Sequence, residues 1–406
     1  MTTINGVKTS SNMQNNSKIT IFFAGDFCSK PSTAPIKVSE ELTDLIRSCD
    51  LKLVNFEVPL KPEGMKPKAG RFYQSDDAPA FLENLGFDLF PLANNHVFDY
   101  GLKGYEKTFA SFQNTPFGSG TYEEAYKIKI VEVKGTKVGF LALSFAARFG
   151  VFNDVTSHEG YGSAYINDLQ VNHIIIRTKK EVDYLIVLPH DGIEYVDIPT
   201  PETIARYRDF VDYGADAVIG THPHCPQGWE TYKGKPIFYS LGNFLFNSKQ
   251  NYSYRAWNRP HWYEGLCVIL NIEEGSITYK TINTRNVDNL GIVVDNEPAR
   301  NEHNRQLCHY LVDKKEYDEC FEKQVKRIMI EEVVPIIDSS LHKYTVKQST
   351  KALLGYWKKK VLGKPLKTDE PVQRTLKHDS MRQALLRTLE MDNNKLVVCN
   401  PRKEKQ

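Results

Sequence analysis

Five apolar runs in this chain each close on a side chain able to hold a cation or move a proton. KITIFFAGD ends at Asp26, LKLVNFE at Glu57, GFDLFPLANNH at Asn95 and His96, VDYLIVLPH at His190, and ADAVIGTHPH at His222 and His224. The runs are rich in β-branched and aromatic residues and apolar on both faces, the pattern of strands covered by other layers on each side. Segments with helical spacing lie between them: Ser39–Ser48 with Ser39 as N-cap, Ala78–Leu85, Tyr105–Phe112, and the end of a further helix at Val171–Thr178. KIKIVEV and KVGFLALSF flank a Lys-Gly-Thr turn and predict a hairpin. Strands alternating with helices build an α/β fold, whose chemistry gathers in the loops at strand ends. One such ending is unremarkable. Five of them, all Asp, Glu, Asn or His, supply partners for one another.

At 406 residues the chain exceeds one ordinary domain. The expected division is a polar leader over 1–17, a main α/β domain over 18–290, and a basic helical extension over 301–406. From Asn301 onward apolar positions recur at helical spacing among dense charges, as in KALLGYWKKKVLG and DSMRQALLRTLEM. The triplet Lys358–Lys360 beside Trp357 is either a solvated helix face or a surface for a protein partner or an anionic surface. A net charge of +2 is too small for a nucleic-acid binder. Seven cysteines without a C-x-x-C spacing argue against a disulfide framework and a zinc ribbon, and for a reducing compartment. The opening MTTINGVKTSSNMQNNSKIT has no apolar core and no later stretch reaches 18 apolar residues, so neither signal peptide nor transmembrane segment is expected, and a cytoplasmic location is.

Carboxylates, an amide oxygen and imidazoles make a mixed oxygen and nitrogen donor set, suited to Mn, Fe or Zn. Two such cations side by side can acidify a shared water and clamp the oxygens of a phosphoester. Asp26 and Glu57 are the anionic candidates for ligands, Asn95 a neutral oxygen, and His190, His222 and His224 the imidazoles. An H-x-H pair in an extended loop aims both rings to one side. His96 has Asp99 three residues on; a helix starting here would set the carboxylate beside the ring and suit it to general-acid work. Several positions stay open. Arg71 either holds a substrate anion or is a surface arginine. Glu194 and Asn243 either orient ligand histidines or serve turns and packing, and Cys28 either joins the metal shell or is a small buried residue. His158, His173 and His261 show no partner pattern.

The blocks Gly25–Asp26, NFEVPL (Asn55–Leu60), GFDLFPLANNHVFDYG (Gly86–Gly101), GSGTYEEAY (Gly118–Tyr126), PHDGIEY (Pro189–Tyr195) and GADAVIGTHPH followed by YSLGNFLF resemble the bacterial capsule-synthesis CapA family, which includes the poly-γ-glutamate capsule proteins. The resemblance runs over about residues 18–285. It implies the four-layer α/β/β/α sandwich of the calcineurin-like metallophosphoesterases, here with a C-terminal helical extension. It also implies two divalent metals (Mn, Fe or Zn) on Asp26, Glu57, Asn95, His190, His222 and His224, with His96, backed by Asp99, as the acid. Cys28 stands where phosphoesterases of that superfamily carry a histidine, and Glu57 where they carry an aspartate; the second is normal in the capsule branch. The implied function is metal-dependent hydrolysis of a phosphoester on a phosphorylated or polymeric capsule precursor. The alternatives are an amide hydrolase or transferase acting on a poly-γ-glutamate-like polymer, or a non-catalytic polymer-binding subunit.

Overall fold

The computed structural model describes residues 18–328, except 33, 68–70, 147–149, 153–159, 248–260, 274 and 289. Two sheets form its centre. In the first, β1 (Ile19–Cys28) is flanked on one side by parallel β3 (Leu51–Phe56). Along its other side run antiparallel β13 (Glu264–Glu273) at its beginning and parallel β12 (Asn243–Phe246) at its end. β14 (Ser276–Val287), β15 (Gly291–Val294) and the short β2 (Lys37–Val38) extend this sheet outward from β13. The second sheet has the order β10 (Trp229–Tyr232), β11 (Lys235–Phe238), β9 (Ala217–Ile219), β8 (Tyr184–His190), β6 (Thr136–Ser144), β5 (Lys129–Val133). Its four central strands are parallel, and an antiparallel hairpin closes each edge. The Lys-Gly-Thr turn is one of those two hairpins. A small antiparallel pair, β4 (Ser119–Thr121) with β7 (Tyr161–Ser163), stands apart.

Side-chain alternation sorts the core into three slabs. Ile21, Phe23, Leu53, Val138, Ile186 and Val268 pack between the two sheets. On the outer face of the first sheet, Phe22, Val54 and Phe56 meet α1 (Glu40–Ser48), α2 (Ala78–Leu85) and α3 (Gly101–Ala110) through Leu42, Leu82 and Tyr105. On the outer face of the second, Leu185 and Val187 meet α5 (Leu169–Thr178) and α6 (Pro201–Tyr213) through Ile175 and Phe210, beside the one-turn α4 (Tyr122–Ala125). The layers are therefore α/β/β/α. Ser39 caps α1 by accepting from the Leu42 amide at 3.4 Å, as its position before an amphipathic run predicts.

One expected strand is not formed. The run Gly86–His96 lies along β3, whose Val54 and Phe56 amides donate to the Leu89 and Pro91 carbonyls at 3.3 and 3.2 Å, but it forms only an isolated bridge at Leu89, with a second bridge from Pro91 to Phe117. Proline has no amide hydrogen to give a ladder, and the chain turns at Asn94–Asp99 instead. Helices α7 (Pro298–Tyr310) and α8 (Lys314–Ile328) follow β15. Tyr317, Phe321, Val325 and Ile328 of α8 pack on Ile193, Val196 and Ile198 from the loop after β8. The leader and the two basic helical runs beyond residue 328 lie outside the described residues. Among the described residues no helix is long and apolar enough to cross a membrane. Because Phe321 is buried against that loop, Phe321→Ala should lower stability by about 3–5 kcal/mol, read as a drop in the urea midpoint.

Candidate metal centre

The parallel strands of both sheets deliver their C-terminal ends to the same rim, where the inter-sheet slab runs out. β3 places Asn55 and Glu57 on the face of Leu51 and Leu53, and β8 places His190 on the face of Ile186 and Leu188. β1 needs a correction to do the same. Phe22 and Ala24 face the outer helices, so strict alternation would send the side chain at 26 outward with them. The pairing registers with β3 and β12 both slip around Asp26, between Ala24 and Asp26 on one side and Asp26 and Phe27 on the other. After the slip Phe27 faces the helices, and Asp26 turns inward. Gly25 makes the slip possible: a Cβ there would stand 1.9 Å from the Gly242 carbonyl oxygen. A bulge beside a site that re-aims one side chain is a recurrent device of sheets.

Asp26 is fully buried. Its Oδ1 accepts from Asn55 Nδ2 at 2.6 Å and its Oδ2 from the His222 amide at 3.1 Å. His190 Nδ1 lies 3.7 Å from Oδ1 and His224 Nδ1 3.6 Å from Oδ2. Burial raises the Asp26 carboxyl to about 7, despite the hydrogen bonds from Asn55 and His222 that pull the other way. Glu57, also fully buried, has Oε1 3.5 Å from His224 Nε2 and 3.9 Å from His96 Nε2. His190 Nε2 meets Asn95 Oδ1 at 3.0 Å, while its Nδ1 is 3.0 Å from Thr221 Oγ1. Burial, and then the neighbouring imidazoles of His222, His224 and His96, hold His190 well below the ordinary histidine range. It is therefore neutral at pH 7, the form that ligates metals.

The two histidines of the H-x-H motif are not in an extended loop. His222 has φ 106° and His224 φ 58°, both in the left-handed region that non-glycine residues rarely occupy. The rings nevertheless lie 5.9 Å apart, with His222 4.7 Å from His190. Tyr195, at φ 65°, donates its amide to the Pro223 carbonyl at 2.8 Å and helps hold this turn. Such strain persists only where surrounding structure enforces it, and it clusters at functional sites. Asn243 fixes the His224 ring. Its Nδ2 donates to the carbonyls of Trp262 at 2.9 Å and His224 at 3.3 Å, which leaves Oδ1 to accept from His224 Nδ1 at 2.9 Å. The ring then presents Nε2 towards Glu57.

This donor set fits a divalent cation. Asp26, Glu57 and His224, all buried, each offer a ligand atom within 4.8 Å of the others, and so do Glu194, His222 and His224. The two groups share His224. Two carboxylates taken wholly out of water call for compensating positive charge. Glu194 thus stands among the ligand-capable residues. Cys28 packs with Val58, Phe246 and Trp262 in an apolar pocket and belongs to none of the metal-capable groups among the described residues. His96 Nδ1 lies 2.9 Å from Asp99 Oδ2, in a turn closed by Asp99 N to His96 O at 2.8 Å, not in a helix. Arg71 Nη1 is 3.5 Å from Asp99 Oδ1, at the edge of this group.

Residues 17–248, more than half the chain, match the family described as "Bacterial capsule synthesis protein PGA_cap". The chain belongs to this family. The matched span carries all six ligand candidates and stops short of α7 and α8. The chain is 30% identical to the Capsule biosynthesis protein CapA of Bacillus anthracis, over 64% of this chain and 69% of that protein. It is also 30% identical to the PGA biosynthesis protein CapA of Bacillus subtilis, over 50% of this chain and 55% of that one. A solved structure described as a novel phosphatase from Mycoplasma pneumoniae overlaps 70% of this chain and 96% of its own at 15% identity and TM-score 0.39, too distant to bear on function.

Sequence pattern alone overlooks two members of the cluster. Asn55 sits two residues before Glu57, on the same face of β3, and is the register partner of Asp26; an N-x-E alternation at a strand end is the signal. Thr221, joined to His190 by an isolated bridge, precedes His222 and has no comparable signal. Gly25→Ala sets a methyl group against the Gly242 carbonyl and should cost about 1–3 kcal/mol, checked by urea denaturation of metal-free protein.

Proposed function

We propose that this protein is a divalent-metal-dependent hydrolase that cleaves a phosphoester in the making of capsule or surface polysaccharide. The observation that carries this reading is the convergence of two fully buried carboxylates, Asp26 and Glu57, on His190, His222 and His224 at one rim of the two sheets. Two ions of the Mn, Fe or Zn class would supply Lewis acidity and a water acidic enough to attack at neutral pH. Asp26, Glu57, Asn95, His190, His222 and His224 would hold them, with Glu194 beside His222 and His224. Asn243 holds the His224 ring so that Nε2 is the atom presented to the site.

His96 is the group placed to deliver a proton. Burial pulls its pKa down, but the charge and hydrogen bond of Asp99 outweigh burial and leave it raised. With Nδ1 tied to Asp99, Nε2 is the end that faces Glu57, and it would give its proton to the leaving oxygen of an ester held there. Arg71, next to Asp99, is placed to meet a substrate anion. The capsule setting is supported by the family and by the names of the Bacillus relatives. The name "PGA biosynthesis protein" on one of them favours a second reading, in which the same residues serve cleavage or transfer at an amide of a γ-glutamyl polymer.

Elemental analysis is expected to find two equivalents of Mn, Fe or Zn after incubation with the ion. The loaded protein should release product from p-nitrophenyl phosphate or its bis ester, and Asp26→Ala/His224→Ala should lose those two equivalents together with turnover. New amine released from a γ-glutamyl oligomer, with no phosphoester turnover, selects the amide reading. No metal uptake overturns both and leaves a polymer-binding subunit. Asp99→Asn should lower kcat about 10- to 100-fold while metal content and KM stay unchanged, which separates a positioning role from a ligand role.

A further inference from the structure

The loop after β8 is held from two sides. Towards the rim, the Asp191 amide donates to the Thr221 carbonyl at 3.0 Å and the Tyr195 amide to the Pro223 carbonyl at 2.8 Å. The loop is thereby stitched to the turn that carries His222 and His224. Gly192, at φ 122°, lets the two backbones approach, since a Cβ there would stand 3.0 Å from Pro223 Cγ. Glu194 lies inside the stitched stretch and offers its carboxylate to the group it forms with His222 and His224.

On its other side, α8 grips the same loop at every second residue. Arg327 Nη2 donates to the Tyr195 carbonyl at 2.7 Å. Gln324 Oε1 accepts from the Asp197 amide at 3.2 Å, and its Nε2 donates to the Asp197 carboxylate. The Tyr317 hydroxyl donates to the Pro199 carbonyl at 2.7 Å. Arg327 and Gln324 also line, with Tyr195, Asp197 and His224, a cavity of about 170 Å³, so α8 stands beside the rim itself.

The two grips meet at Tyr195. Its amide holds the histidine turn, its carbonyl is held by Arg327, and its own φ is 65°. A tyrosine stays in the left-handed region only where its neighbours enforce it, and the same holds for His222 at φ 106° and His224 at φ 58°. A charged donor on a long side chain makes the stronger kind of hydrogen bond to a carbonyl. The other ligand candidates are fixed differently. Asp26 and Glu57 stand in or beside strands laddered to each other, and His190 ends a strand paired with β6. His224, common to both metal-capable groups, is also held by Asn243.

We propose that Arg327 is a positioning residue for the metal centre: by fixing the Tyr195 peptide it holds Glu194, His222 and His224 in register for one of the two cations. Without it that cation binds more weakly, while the one held by Asp26, Glu57 and His224 keeps its affinity. The inference rests on the reading of this rim as a two-ion centre. It makes α8, which lies beyond the span matched by the family, a working part of that centre. The apolar contacts of Tyr317, Phe321, Val325 and Ile328 with Ile193, Val196 and Ile198 seat the helix; Arg327 adds the single bond that reaches the histidine turn.

The test is a Mn²⁺ titration of the full-length chain, with free Mn²⁺ read from its electron paramagnetic resonance signal. It compares the wild type with Arg327→Met, which keeps the aliphatic stem but has no donor, with Arg327→Lys, which keeps one, and with the neighbouring Lys326→Ala as control. The wild type and Lys326→Ala should bind two equivalents. Arg327→Met should bind one as the wild type does and the other at least about 10-fold more weakly, and Arg327→Lys should recover most of that loss. Two equivalents at wild-type affinity in a folded Arg327→Met protein overturn the inference and leave the metal centre standing. Equal weakening of both equivalents also overturns it, since that is the mark of a loosened fold. Fewer than two equivalents in the wild type overturn the two-ion reading, and this inference with it. If Arg327→Met does not fold, Gln324→Leu, which releases the loop at Asp197, is judged by the same outcomes.

Discussion

The structure turns on a one-residue slip in β1. Without it, the alternation set by Phe22 and Ala24 would aim the Asp26 carboxylate into the apolar slab beneath α1 and α2, where an unpaired charge has no compensation. The slip at Gly25 and Asp26 lets Phe27 take the apolar position and turns the carboxylate to the inter-sheet side. There Asn55, the His222 amide and two imidazoles surround it. The Gly242 backbone is closed so tightly against Gly25 that no side chain fits. The glycine belongs to the site as much as any ligand-capable group does, although it contributes no donor atom.

Two sheets facing each other solve a charge problem that one sheet could not. The first contributes the carboxylates Asp26 and Glu57, and the second contributes His190, with His222 and His224 just beyond its β9. Each sheet alone would carry like groups side by side. Brought together at the rim, the two buried carboxylates face imidazoles of which His190 is held neutral, and burial has driven Asp26 up to about 7. A cation is the economical answer to two carboxylates buried together. The left-handed backbone at His222 and His224 belongs to the same arrangement, since the loop must reverse within three residues for both rings to return to the rim.

The C-terminal helices complete the surroundings of that rim. α8 covers the loop after β8 through Tyr317, Phe321 and Val325, and that loop carries Glu194 beside His222 and His224. Gln324 and Arg327 of α8 line the same cavity as His224. Changes in the seating of these helices therefore reach the metal-capable residues through a single short loop, whose Tyr195 carbonyl accepts from Arg327 at 2.7 Å.

Much of this was legible in the chain itself. Strand ends are local events: an apolar run of fixed period stops at a residue that can be read off, and Asp26, Glu57, Asn95, His190, His222 and His224 were visible for that reason. The i, i+3 spacing of His96 and Asp99 was likewise enough to pair them, although a turn and not a helix brings them together. Tertiary structure decided what depends on segments meeting. The inward turn of Asp26 depends on how β1 pairs with both β3 and β12, and that pairing also sets Asn55 opposite it. Cys28, two residues on in β1, goes to an apolar pocket formed with Val58, Phe246 and Trp262. Pro91 kept an apolar run from becoming a strand, since its missing amide matters only where a ladder partner waits. His261 has Glu264 three residues on, 2.9 Å from its Nδ1, whereas Asp197 and His303 come to it from 64 residues before and 42 residues after, across folded layers. Local chemistry is written in the order of residues, whereas the partners of each group are chosen by packing.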